Sequence, residues 1–273
     1  MADVKTAVAS TANSNQKGSN SMMLNLIIVV VCLVLAHVLF HFVFSTQFLD
    51  AEKHKAKNIF GTMYQGGWVV PILISTFFIM LSFLIERTLT IFKARGKMSN
   101  AEFIKKVQYH LSTKNVDAAI AECDKQAGSV GNVMKAGLHR YKDMITNTEL
   151  NTEQKVLAIQ KEVEEATALE LPMLSKNMSV ISTCASIGTL VGLIGTVVGM
   201  IRAFGALAAA GTPDTAALAT GISEALVNTL VGILSSALAI IFYNLFSNRV
   251  DQLTYAMDEA GFSIIGEFQS SGK

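Results

Sequence analysis

Gly192-Leu-Ile-Gly-Thr-Val-Val-Gly199 and, further on, Gly221-Ile-Ser-Glu-Ala-Leu-Val-Asn-Thr229 lie inside two long apolar runs that fill Ser182 to Phe246, joined by Gly211-Thr-Pro-Asp214. Both runs carry hydroxyls and glycines where lipid-facing helices would carry leucine, which describes helices that face each other or a lumen. At about 100° per residue, Gly188, Gly192, Gly195 and Gly199 fall within about 40° of one line. Glycines four apart let a neighbouring backbone approach where the hydrophobic effect cannot drive helix association. Ser182, Ser186, Thr189 and Thr196 form a second stripe, about 100° round from the first. On the following run Glu224, Asn228, Thr229, Ser235 and Ser236 share one broad face, and Leu226, Leu230, Ile233, Leu234 and Ile241 share the other. The first face is expected to be wet or paired and the second to meet lipid or apolar neighbours.

Two readings of these polar groups stand side by side. Ser and Thr in membrane helices commonly bond the carbonyl one turn back, and each hydroxyl here is open to that structural role. A carboxylate at mid-bilayer costs about 2.5 to 3.5 kcal/mol on insertion scales and is by default a pathway or pairing residue. Yet a helix from Thr212 to Arg249 would be about 56 Å long against an apolar core of about 30 Å. Glu224 is therefore either a lumen acid or an ordinary acid solvated near an interface.

With 51% hydrophobic and 16% charged residues over 273 positions, the chain reads as an all-α integral membrane protein rather than one soluble domain. A net charge of +1 points to no class of partner, nucleic acid included. Cys32, Cys123 and Cys184 are scattered, without disulfide or zinc spacing, and read as small packing residues. Residues 1–21, rich in Ser, Asn, Ala and Thr, are expected to form a disordered arm. Residues 22–44 make a first apolar helix of spanning length, too long for a signal peptide and without a small-residue cleavage site, so retention is expected. His37 and His41, four apart on that helix, could present two imidazoles to a metal or haem, but no further ligand pattern accompanies them and no cofactor is expected.

Residues 45–67 form a polar outer-side connector with Lys53, His54, Lys55 and Lys57, ending at Gly66-Gly67. The second span, residues 68–92, opens on Trp68, whose ring suits an interface, with Pro71 in the first turn where its missing donor is harmless. Arg87, Lys93, Arg95 and Lys97 at its far end mark a cytoplasmic side. Residues 93–178 hold thirteen of the 22 Lys and Arg and read as a helical cytoplasmic domain. Within it Ser99-Asn-Ala-Glu102 reads as a capping box, and Asn115 to Lys125 and Asn132 to Met144 as two helices broken at Gly128 and Gly131. No phosphate loop, nucleophile with a base, or metal cluster is apparent, so an enzyme is not expected. From Thr152 the pattern continues into the Gly-rich span, 179–209, as a helix of about 85 Å that Pro172 should kink. Its acids, Glu162, Glu164, Glu165 and Glu170, read as solvating that helix or pairing with a neighbouring subunit. Residues 210–214 form an outer-side turn, with Thr212 as N-cap and Pro213 at the first helical position of a last span, 215–248. An amphipathic cytoplasmic tail, 249–273, presents Leu253, Met257, Phe262, Ile265 and Phe268 for packing on the helical domain.

The runs GLIGTVVGMIRAF from Gly192 to Phe204, GISEALVNTLVGI from Gly221 to Ile233 and YNLF from Tyr243 to Phe246 resemble the signature of the MotA/TolQ/ExbB proton-channel family, and more closely its ExbB/TolQ branch. Glu86-Arg87 is similar to the pair at the end of that family's first core helix, and a plain interfacial salt bridge accounts for it equally well. The sequence departs from the pattern at Thr189, where many members have proline, and at Val227-Asn228, which replaces an apolar and small pair. The family core has three spans, so residues 22–44 would be an extra helix in front of it.

The resemblance implies a subunit of a proton-driven motor of the bacterial inner membrane that does mechanical work on a TonB-like protein for transport across the outer membrane. It implies a homopentamer around an ExbD-like single-span partner whose aspartate carries the proton. Thr196 and Thr229 then fall on the family's lumen threonines and Glu224 on its membrane glutamate, with Ser182, Ser186, Thr189, Asn228, Ser235 and Ser236 as lumen-facing support. A TolQ-like or motility stator subunit and a non-conducting membrane scaffold stay open as alternatives. A solute transporter would show internal repeats or broken helices, and neither is apparent.

Overall fold

A computed structural model of the protein describes residues 23–48, 59–209 and 215–271. The N-terminal arm, the connector lysines with His54, and the Gly211–Asp214 turn with its expected N-cap Thr212 and Pro213 lie outside the described residues. The fold is all-α, with no strand among the described residues. Its helices are α1 (Met23–Phe44, continued by Ser45–Phe48), α2 (Ile59–Gln65), α3 (Val69–Ala94), α4 (Asn100–Ser112) and α5 (Val116–Gln126). They are followed by α6 (Gly128–Thr146), α7 (Thr152–Ser175), α8 (Met178–Ala209) and α9 (Thr215–Ser271). Among the described residues four stretches are long and apolar enough to cross a membrane: Met23–Phe44, Val69–Ala94, Thr152–Ala208 and Thr215–Ser270. The protein is thus a multi-pass membrane protein. The chain divides into two units, one of residues up to Phe83 with Val180–Ile241, the other of Leu84–Ser179 with Phe242 onward.

In the first unit, α1 ends in a π-helical stretch, Leu39–Phe44, whose wider turn sets Phe40 and Phe44 on one buried face. With Ala36 they pack on Val70 and Ile74 of α3. Phe40 also stacks on Tyr64 of α2 with ring centroids 5.0 Å apart. The Cys32 thiol lies 3.6 Å from the Ser82 hydroxyl, as a packing residue does. Pro71 sits in the first turn of α3, where no donor is lost, and its carbonyl accepts from Ser75 Oγ at 2.6 Å.

The second unit has an apolar core to which several helices contribute. Phe103, Ile104, Val107 and Leu111 of α4 meet Val130, Val133, Met134, Leu138 and Tyr141 of α6, and Ile159 and Val163 of α7. The end of α9 adds Leu253, Met257, Ala260, Ile264 and Phe268. Each large side chain fully buried in this way contributes about 1.5 to 3 kcal/mol. Phe262, expected on the packing face, is instead 76% exposed. The helical period puts Ile264 inward in its place, because α9 continues unbroken through the expected tail boundary. Cys123 is buried here, and burial pushes its thiol up to about 12.

Three local expectations are corrected. Ser99 is the N-cap of α4, but its side chain makes no capping bond, and Glu102, instead of reaching back to the Ser99 amide, pairs with Lys106 at 2.9 Å. A capping box forms instead at Asn151 and Gln154, with bonds of 2.8 and 3.1 Å. Gly131 does not break α6; the break is at Ala127 and Gly128, with φ of 52° and 79°. A Cβ on Gly128 would stand 2.5 Å from Ala94 O, so the close approach of two backbones requires glycine there. Gln126 closes the same joint, accepting from Met98 N at 2.9 Å and donating to Met98 O at 3.0 Å.

The long helix expected to kink at Pro172 is interrupted one turn later. Pro172 lies inside α7, Lys176 has ψ of 139° and Asn177 takes the left-handed conformation at φ 60°. Asparagine tolerates that region, whereas a branched residue would not. Arg87, whose side chain is 1% exposed, takes over the freed helix end. Its Nη1 donates to Met173 O at 3.3 Å and Leu174 O at 3.1 Å. Its Nε and Nη2 grip Glu86 at 2.8 and 2.7 Å, and Asn177 Nδ2 donates to the same carboxylate at 3.2 Å. Glu86-Arg87 is therefore more than a surface ion pair; it is the C-terminal cap of α7.

Candidate functional site

The site is built on the first unit's parts of α8 and α9, which approach at backbone distance. A Cβ on Gly188 would lie 3.2 Å from Gly232 O, and one on Gly192 would lie 3.3 Å from Gly232 Cα. One on Gly195 would fall 2.6 Å from Asn228 Cβ, and one on Gly199 would fall 2.9 Å from Ala225 Cβ. On α9, a Cβ on Gly232 would lie 2.5 Å from Gly188 O, and one on Gly221 would lie 2.7 Å from Ala203 Cβ. The glycine seam is therefore used between two helices of the same chain. Gly195→Leu is expected to cost about 1 to 3 kcal/mol or more, because the leucine would have to displace Asn228. The check is thermal unfolding of the detergent-purified variant, with a loss of folded single chains rather than a change of oligomer alone.

Thr196 and Thr229 meet across this seam, their hydroxyls hydrogen-bonded to each other. Thr196 Oγ1 also reaches Gly192 O at 3.2 Å, and Thr229 Oγ1 reaches Ala225 O at 3.3 Å. Two hydroxyls hold two protons, and here three acceptors compete for them. Either Thr196 donates to Thr229 and Thr229 to Ala225 O, or Thr229 donates to Thr196 and Thr196 to Gly192 O. Such a pair can reverse its polarity without moving a heavy atom. Both threonines are half-buried, so one side of the pair remains open.

Ser182 and Ser186 lie exposed on α8 and Thr189 half-exposed, with Ser186 and Thr189 each bonding a carbonyl one turn back at 3.5 Å. Asn228, Ser235 and Ser236 are buried among the chain's own helices. Asn228 Nδ2 donates to Gly66 O at 3.2 Å, and its Oδ1 is buried without a hydrogen-bond partner. Ser235 Oγ bonds Val231 O at 2.8 Å, and Ser236 Oγ lies unpartnered beside Gly188.

Glu224 is 6% exposed, and its partner is Arg202, whose Nη1 donates to Oε1 at 2.6 Å. Asn228, one turn along, does not pair with Glu224, because its amide donates to Gly66 O. Gly67, at φ 73°, lays its backbone against the ion pair: a Cβ there would stand 2.7 Å from Glu224 Oε1 and 3.0 Å from Arg202 Nη1. The Gly66-Gly67 corner between α2 and α3 thus closes over Glu224 and Asn228. Arg202 and this corner escaped sequence reasoning. A lone arginine in an otherwise apolar run was the available signal, since a buried carboxylate needs a counter-charge.

Residues 126–259 match the MotA/TolQ/ExbB proton channel family. A stretch of 136 residues, 47% of this chain, is 29% identical to the Tol-Pal system protein TolQ of Pseudomonas aeruginosa and covers 59% of it. Another, of 86 residues, is 38% identical to a Synechocystis protein named ExbB-like 3, of the biopolymer transport type, and covers 41% of it. A third, of 84 residues, is 31% identical to TolQ of Haemophilus influenzae and covers 37% of it. The matched parts thus span between about a third and three-fifths of these relatives' lengths. The hydroxyl pair, the Glu224–Arg202 pair and the glycine seam all fall within the matched residues. Over residues 126–259 the chain is therefore similar to the MotA/TolQ/ExbB proton channel family.

Proposed function

We propose that the protein is a non-enzymatic, ExbB-like subunit of a proton-driven motor in a bacterial inner membrane. In this reading several copies, five by family resemblance, surround an ExbD-like single-span partner, and the motor acts on a TonB-like protein. The observation that carries the reading is the reversible Thr196–Thr229 hydroxyl pair on a half-open face of the α8–α9 seam, in the stretch that matches a proton channel family. The hydroxyls relay protons by exchanging donor and acceptor roles, while Ser182, Ser186 and Thr189 hydrate the same side of α8. Glu224 supplies the group that holds a proton in passing. Each proton crossing releases about 2.3 kcal/mol per 100 mV, enough to bias a partner helix between two near-equal packings.

A TolQ-like role in envelope maintenance is the second reading, favoured by the 136-residue match to a TolQ protein. Which single-span partner co-purifies with the chain, ExbD-like or not, separates the two. Both are tested together by Thr196→Val with Thr229→Val, which keeps the shape and removes the exchange. Proton flux into liposomes carrying the chain and its partner is expected to fall by about a hundredfold, with oligomer mass unchanged. Wild-type flux from the double variant would leave only the scaffold.

A further inference from the structure

In the second unit, where α3 ends, α4 begins and α9 passes, a cavity of about 490 Å³ opens. Arg95 and Arg249 both line it, and no carboxylate does. Among the described residues neither guanidinium is in an ion pair; Arg249 reaches only Gln252, at 3.0 Å. The rest of the lining includes Phe92, Leu245 and Phe246. Phe92 is 76% exposed, an apolar ring standing open beside a cation. The first turn of α4 adds Ser99 and Asn100, and it is a helix start with no side-chain cap. Asn100 Oδ1 is buried without a hydrogen-bond partner.

Uncompensated guanidiniums beside apolar side chains ask for an occupant that is anionic at one end and apolar at the other. The apolar lining is continuous with the runs of α3 and α9 that are long enough to cross a bilayer. A free phosphate would leave that lining bare. The planar fork of arginine suits a phosphodiester, and basic pockets between spanning helices take anionic head groups. We propose that this cavity seats an anionic phospholipid, its phosphodiester on Arg95 and Arg249 and its acyl chains along Phe92, Leu245 and Phe246. Asn100 Oδ1 then accepts from a head-group hydroxyl.

The test is native mass spectrometry of the full chain purified with equal phosphatidylglycerol and phosphatidylcholine. Phosphatidylglycerol is expected to be retained over phosphatidylcholine by about tenfold or more. The preference should fall to parity in R95Q/R249Q and survive in part in R95K/R249K, where charge remains without the fork. It should stay intact in K105Q/K155Q, which removes the same charge elsewhere. Equal retention of the two lipids, or a preference unchanged by R95Q/R249Q, overturns the proposal. So does displacement by millimolar inorganic phosphate, which would make this a free-anion site. Loss of the oligomer in R95Q/R249Q at unchanged lipid retention would assign the cavity to a second copy of the chain instead.

Discussion

Arg87→Met is expected to loosen the junction between α7 and α8, at a cost of about 3 kcal/mol or more. The substitution keeps a long apolar side chain but removes every donor that Arg87 supplies to the junction. Met173 O and Leu174 O lose their partner, and Glu86 keeps only Asn177 and Thr90. Glu86 is 37% exposed, so water relieves part of its loss, which places the effect at the lower end of the range for breaking a buried pair. Arg87→Lys should recover part of the loss, since an ammonium cannot grip a carboxylate in two places and reach two carbonyls as well. Hydrogen exchange at the amides from Lys176 to Ser179 reads the junction directly. Faster exchange there in the methionine variant, with the core of α4 and α6 unchanged, is the expected result; unchanged exchange would show that Asn177 holds the junction without the arginine.

Glu224→Gln is expected to lower partner-dependent proton flux by about a hundredfold or more while leaving the helices assembled. Glutamine keeps the size and can still accept from Arg202, but it cannot bind and release a proton. Arg202 makes the decisive comparison possible. If Glu224 only neutralises Arg202, then Glu224→Gln and Arg202→Gln break the same ion pair, and either alone costs as much as both together. If Glu224 handles protons, Arg202→Gln retains flux that Glu224→Gln loses, and Glu224→Asp keeps part of it. Equal flux in wild type and the Gln variant would remove Glu224 from the proton path.

The long apolar elements were legible because length and composition set them: every expected span is a helix, and the glycines of the GLIGTVVG run do lie on one packing face. What that face meets was not legible, since a G-x-x-x-G pattern is the same whether the next backbone belongs to this chain or another. Thr196 and Thr229 could be placed on polar stripes, but only the relative register of α8 and α9 brings their hydroxyls together. Glu224 was visible as a costly acid and Arg202 was not singled out as its partner, since twenty-two positions of sequence separation leave no local signal. Breaks were misplaced as well. Pro172 lies inside α7 and Gly131 inside α6, whereas the chain leaves the helix at Asn177 and Ala127, which take positive φ. Ser99 met the pattern of a capping box, yet Glu102 had a competing lysine one turn along.

The Glu224–Arg202 pair also bears on how a newly made chain enters the bilayer. A lone charge at the centre of an inserting helix adds about 2.5 to 3.5 kcal/mol, and less toward its ends. Because acid and base sit on consecutive helices of one chain, joined by a connection of five residues between α8 and α9, they can neutralise each other as a hairpin while leaving the translocation machinery. The chain carries its own counter-ion, so the insertion of these two helices does not need a charge supplied by another chain.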